Sequence, residues 1–156
     1  MKTKFLLPIL TVAVLSFNSC KKDDDSNLQP KGNYGNANVS SASYTGNWIF
    51  QGGSEWDVTL NVPAITSSVL SSASINTYLS GDGGQSWIAL PVYISPVSIA
   101  VVYQVNTVGV AAQGGSSAPS ATLFKVVIIS AAGRKANPNL DLKNYNAVKT
   151  AFNLKD

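Results

Sequence analysis

Thr122–Ser130 reads TLFKVVIIS, a run of aliphatic and aromatic side chains interrupted by a single charge. In a strand, successive side chains point to opposite faces. Phe124, Val126 and Ile128 then face a core, and Leu123, Lys125, Val127 and Ile129 face away from it. Apart from Lys125, that second set is apolar as well. A strand that is apolar on both faces is normally covered on both. The C-terminal segment offers a cover. In Asp141–Asn153, Leu142, Tyr145, Val148 and Phe152 recur at spacings of three, three and four, which is one helix face. Asp141 is suited to cap its start. The expectation is a helix over residues 141–153 packed on the outer face of the last strand. The alternative cover is a second molecule.

Working back from this strand, the chain from Tyr44 onward consists of short runs of Val, Ile, Thr and aromatics broken by Gly and Pro, the signature of an all-β domain. Asn47–Gln51 reads as a first strand, turned by Gly52 and Gly53. Glu55–Val62 alternates cleanly, with Trp56, Val58, Leu60 and Val62 inward. Pro63 stops it and suits the first position of one or two helical turns within residues 64–73. Ser74–Leu79 and Trp87–Ile94 flank the Gly-rich turn at residues 80–84. Ser98–Val105 and Val110–Ala112 precede a loop at residues 114–119 and the last strand. About seven short strands predict a small antiparallel β-sandwich over residues 44–130, followed by a C-terminal segment at 131–156.

The chain begins MKTKFLLPILTVAVLSFNSC. Lys2 and Lys4 precede an apolar run from Phe5 to Leu15, and small polar residues lead into the only cysteine, Cys20. A positive start, an apolar stretch of ~7–15 residues and a small residue before cleavage describe a secretory signal peptide, residues 1–19. The apolar run is shorter than the ~20 residues a spanning helix needs. Residues 21–43 are polar with almost no aliphatics, a composition that reads as a flexible tether with an r.m.s. span of roughly 25 Å.

The segment ending Ser19-Cys20 resembles a bacterial lipobox, in which the Cys becomes the lipidated first residue. Phe17 and Asn18 depart from the usual Leu and Ala or Ser. Lys21, Lys22, Asp23, Asp24 and Asp25 directly after Cys20 resemble the surface-export signal of Bacteroidota lipoproteins; the alternative is a solvated spacer. The stretches WDVTLNVPAITSSVLSSASINTYLS, WIALPVYI, FKVVIIS and DLKNYNAVKTAFNL together resemble a group of small Bacteroidota lipoproteins over most of residues 56–156. That resemblance implies a β-sandwich with a closing helix, a lipid anchor on Cys20 and an outward-facing place on the outer membrane. It carries no activity, because the shared motifs are core and turn residues.

Composition excludes several chemistries. The 156 residues contain no His and one Cys. An imidazole base, a Ser-His-Asp triad, a His-ligated zinc and an internal disulfide are therefore out of reach. Charged residues are only 12 %, about half the usual ~25 %. Removing residues 1–19 takes two of the 11 basic side chains, leaving nine against eight acidic. The balance gives no evidence for a nucleic-acid partner, which would need a clustered basic face. Glu55 and Asp57 share one strand face about 6.6 Å apart and point into solvent together, which does not bracket a substrate. Asp82 is a usual turn residue. Neither a cofactor nor a metal site is expected, and the reading is non-catalytic.

What remains is a set of aromatics. If Ile88, Leu90, Val92 and Ile94 face in, Trp87 and Tyr93 face out, about 20 Å apart along one strand, with Tyr78 beside or between them. Outward rings stack on sugars or dock a partner protein; the alternative is that loops cover them. Two functions follow: a lipid-anchored structural or interaction module that binds another envelope protein, and a carbohydrate-binding accessory protein that grips a polysaccharide through Trp87, Tyr93 and Tyr78.

Overall fold

The computed structural model describes residues 38–155. The leader, Cys20 and the cluster Lys21, Lys22, Asp23, Asp24 and Asp25 lie outside the described residues. The strands are β1 (Val39–Thr45), β2 (Ile49–Gly52), β3 (Glu55–Asn61), β4 (Ser74–Ser80), β5 (Ile88–Ala89), β6 (Val92–Ile94), β7 (Val97–Gln104), β8 (Thr107–Gln113) and β9 (Leu123–Ile129). The helices are α1 (Ser67–Ser72), α2 (Ala131–Ala136) and α3 (Tyr145–Phe152).

Two antiparallel sheets form an all-β sandwich. One has the order β1-β9-β4-β5 and the other β2-β3-β8-β7-β6. Between them lies a core of Val58, Leu60, Val62, Leu79, Ile99, Val108, Val110, Phe124 and Val126, all buried. The alternation read in Glu55–Val62 is what builds it: Val58, Leu60 and Val62 are buried and Trp56 packs against them.

The outer face of the four-stranded sheet carries the expected cover. Val127 and Ile129 of β9 bury against Tyr145, Val148 and Phe152 of α3 and against Leu154, with Val39 and Tyr78 completing the cluster. The described residues thus form three layers: a five-stranded sheet, a four-stranded sheet, and a helix. The helix starts later than its apolar spacing suggests. Asn144, not Asp141, is the cap, and its side chain accepts from the Ala147 N–H at 3.2 Å. Asp141 instead accepts from the Lys143 N–H, closing the turn before the helix. Asn153 ends α3 in the left-handed region at φ 51°. At the other short helix, Thr66 rather than Pro63 sets the start, by accepting from the Val69 N–H.

Two boundaries differ from the sequence reading. The domain begins at β1, so residues 39–43 belong to the sheet and not to a tether. Their Ser-rich composition carries no strand signal, but β9 supplies a full antiparallel partner from Val39↔Ile129 to Thr45↔Leu123. The segment Trp87–Ile94 is not one strand. β5 pairs with β4 in the four-stranded sheet, whereas β6 pairs with β7 in the other, and the chain crosses between sheets at the cis Leu90–Pro91 peptide. That division, together with β1, turns seven expected strands into nine.

Candidate functional site

The crossing at Pro91 decides what the aromatics can do together. Trp87 leads into β5 on the side shared by Ala89, Tyr78 and Lys125, the outer face of the four-stranded sheet. Tyr93 pairs with Ser98 on the outer face of the five-stranded sheet. Each ring faces outward from its own sheet, but the two outward faces are on opposite sides of the sandwich. The expected joint grip on one extended ligand is therefore overturned for Trp87 and Tyr93. Tyr78 is excluded from any exposed patch: it is fully buried under α3, and its hydroxyl donates to the Leu142 carbonyl at 2.7 Å. Burial, with smaller contributions from Tyr103 and Asp141, pushes its phenol up to about 12.

Under α3, the aromatics enclose a cation. Lys125 is 2 % exposed. Its Nζ lies 4.6 Å from the Trp87 ring centroid and 4.9 Å from that of Tyr145, and donates a 2.9 Å hydrogen bond to the Tyr145 hydroxyl. The Trp87 ring face carries the negative part of the aromatic quadrupole, which is where an ammonium is stabilised, and Tyr145 meets Nζ at its hydroxyl end. Trp87 and Tyr145 are in tilted contact at 5.7 Å, and Tyr145 meets Tyr78 edge-on at 5.1 Å. The sequence placed Lys125 on the outer face correctly but did not place it under cover. A signal was present: a lone Lys between apolar neighbours, on a face predicted to lie under a helix.

Beside this cage is a polar hollow of about 390 Å³, lined by Ser86, Trp87, Asp141, Asn144, Tyr145 and Asn146 among others. Its rim is stiffened by the Asp82 turn. Asp82 accepts from both the hydroxyl and the N–H of Ser86 and from the Ser80 hydroxyl, and these bonds hold its carboxyl well below the usual carboxylate range.

The second surface is the outer face of the five-stranded sheet. The strand register lays its side chains in rows. Ile49, Asp57, Ala111 and Ala100 form one row, and Thr59, Gly109 and Val102 the next. Glu55, Gln113, Ser98 and Tyr93 form a third. Small residues leave a shallow groove of about 210 Å³ over Gly109, Ala111 and Ala100. Around it stand Ile49, Val102 and Tyr93, which are 61 %, 58 % and 68 % exposed. One Asp57 carboxylate oxygen is shielded from solvent there with no hydrogen-bond donor. Glu55 and Asp57 do share this face, as their spacing implies. Among the described residues of this face, Ile49, Thr59, Val102 and Tyr93 are exposed.

No helix among the described residues is long and apolar enough to cross a membrane, and no group of three or more His, Cys, Asp or Glu gathers there. Comparison with family models, with curated proteins and with solved structures finds no match to this chain.

Proposed function

We propose that this chain is a non-catalytic interaction module, lipid-anchored through Cys20 to the bacterial outer membrane and facing outward, that binds another envelope protein through its five-stranded sheet. The observation that carries the binding reading is the uncovered sheet face. The other sheet buries Val127 and Ile129 under α3. This one leaves Ile49, Val102 and Tyr93 standing in water around a floor of small residues. Exposed apolar side chains around a groove are where a partner gains most from desolvation. The anchor rests on the leader and on Cys20, and outward display on Lys21 to Asp25.

The test has two parts. Cys20→Ala should release the protein from membranes or leave an uncleaved precursor; processing and membrane attachment like wild type would remove the anchor. A photo-crosslinking residue at Val102 should capture a discrete envelope protein on intact cells, and one at Lys155, an exposed C-terminal position away from this face, should not. No adduct at Val102, or the same adducts from both positions, would remove the docking face.

A carbohydrate reading keeps support from one place, the hollow beside Trp87. An aromatic wall with Ser, Asn and Asp side chains around it suits a single sugar ring. Trp fluorescence that responds to a saccharide in wild type and not in Trp87→Ala would favour it over the protein-binding reading.

A further inference from the structure

The sandwich has four sheet edges, and they are not equally protected. An open edge presents a row of backbone N–H and C=O groups that template another strand, and native proteins blunt such edges with short strands, bulges, prolines or charges. β5 is two residues long. β6 has three, held between Pro91 and Pro96. β2 has four and a register shift between Phe50 and Gly52. β1 differs from all of these. It runs seven residues, VSSASYT, with no charge, proline or glycine. It pairs with β9 without a register shift. Among the described residues, no strand lies on its other side.

The hydrogen-bond phase of β1 shows which groups are open. The Ser130 N–H donates to the Asn38 carbonyl at one end, and the Gly46 N–H to the Thr122 carbonyl at the other, both at 2.9 Å. In an antiparallel ladder, the residues bonded to a given neighbour alternate. Even-numbered residues of β1 therefore bond β9. Val39, Ser41, Ser43 and Thr45 turn their N–H and C=O groups toward the free edge.

We propose that a second copy of this chain pairs with that edge, β1 against β1, antiparallel about a two-fold axis at Ala42. This goes beyond the docking face above and uses a different part of the fold. In that register Val39 faces Thr45 of the other copy, and Ser41 faces Ser43. Every open N–H and C=O along the edge then finds its complement. The side chains suit the same register. Ala42 meets its own equivalent, so the axis is not crowded. Tyr44 lies across from Ser40, large against small, and Val39 from Thr45, two β-branched residues. The absence of charge matters most at a two-fold axis, where any charged side chain near the axis would meet its like. The product is one continuous eight-stranded sheet with a closed, isologous interface, leaving the face with Ile49, Val102 and Tyr93 free on each copy.

The test uses the full chain and a single cysteine beside the native Cys20. In the proposed register the two Ala42 residues form a non-hydrogen-bonded pair with Cα atoms ~4.5 Å apart, within disulfide reach. Ala42→Cys should give a dimer band on a non-reducing gel, lost on reduction, at least about tenfold stronger than any band from wild type, whose only cysteine is Cys20. Ser40→Cys should not, because Ser40 faces Tyr44 of the other copy, and the two Ser40 residues are about 13 Å apart along the strand. Adding Ser43→Pro to Ala42→Cys should abolish the band. This proline removes an N–H that faces the free edge and leaves the β9 ladder intact. If that variant does not fold, Ser41→Lys with Ser43→Lys makes the same test while keeping every backbone group. Ala42→Cys that crosslinks no more than wild type, equal crosslinking from Ser40→Cys, or a band that survives edge blocking in a folded protein would each overturn the proposal.

Discussion

The Lys125 ammonium and the Tyr145 hydroxyl, on β9 and α3, are joined by a 2.9 Å hydrogen bond buried between the sheet and the helix. The bond fastens the N-terminal turn of α3 to the sheet within a largely apolar contact. A buried charge and its partner respond unequally to removal. Taking away the partner leaves the charge with less compensation, whereas replacing both groups with apolar side chains of similar shape is often neutral.

The single and the double substitution should therefore separate. Tyr145→Phe keeps the ring beside Lys125 and removes the hydroxyl, and should cost ~1.5–3 kcal/mol, the usual worth of a hydrogen bond to a charged group. Lys125→Met combined with Tyr145→Phe keeps the volumes and removes both polar groups, and should fall within about 1 kcal/mol of wild type. Urea unfolding of the two variants checks the order; the double variant as the more damaging change would show that the polar pair, and not its apolar surroundings, holds the layer together.

Phe152 is 1 % exposed at the far end of the same contact, packed with Tyr145, Val148 and Leu154 over Val127 and Ile129. Truncating a buried Phe to Ala removes its transfer energy and leaves a cavity, together ~3–5 kcal/mol. Phe152→Ala should lower the urea midpoint accordingly. The exposed neighbour Thr150→Ala should stay within about 0.5 kcal/mol of wild type. Equal effects of the two would mean that α3 adds little to the stability of the sheet it covers.

How far the sequence reveals this architecture depends on where its pairing information sits. The helix over β9 is legible because both partners carry their own pattern: TLFKVVIIS is apolar on two faces and Asp141–Asn153 has a single apolar stripe. β1 is illegible for the opposite reason. VSSASYT has no periodic apolar face, and its strand form comes from β9, a neighbour distant in the sequence. Trp87 and Tyr93 show a third case. Parity assigns each ring correctly to the outside of its sheet, but parity holds only within one sheet, and the chain changes sheets between them. The Lys125 cage needs Trp87 and Tyr145 brought in from two other elements, so its residues could be noticed singly in the sequence but not assembled.

Gly46, just after β1, is placed by contact and not by an unusual φ. A Cβ there would clash with Val58 Cγ1 and come within 2.9 Å of Phe124 Cε2 and 3.1 Å of Leu60 Cδ2, all core atoms. Filling a packed core in this way typically costs ~1–3 kcal/mol. Gly46→Ala should be destabilising by that amount in urea unfolding. Gly81→Ala, whose new Cβ would meet only Ala121 at 3.7 Å, should be within about 0.5 kcal/mol of wild type. A neutral Gly46→Ala would show that the two sheets can move apart at this end of the sandwich.

Tyr78 makes the fold less stable as the pH rises through the alkaline range. Its phenol is fully buried, donates to the Leu142 carbonyl, and is pushed up to about 12 from 10.0. Between these values the unfolded chain has lost the proton and the folded chain has kept it, so raising the pH favours unfolding. The stabilisation is complete below about pH 10 and is lost progressively up to about pH 12. Two pH units at 1.36 kcal/mol each set its size at about 3 kcal/mol. Tyr78→Phe removes this titration while Tyr103, also raised by burial, stays in place. Wild type should be the more stable protein at pH 8, because the hydroxyl bond to Leu142 is intact. The gap should narrow steadily as the pH rises from 10 to 12 in urea unfolding followed by far-ultraviolet circular dichroism. A constant gap over that range would mean that the Tyr78 hydroxyl meets solvent in the native state, which its position under α3 does not allow.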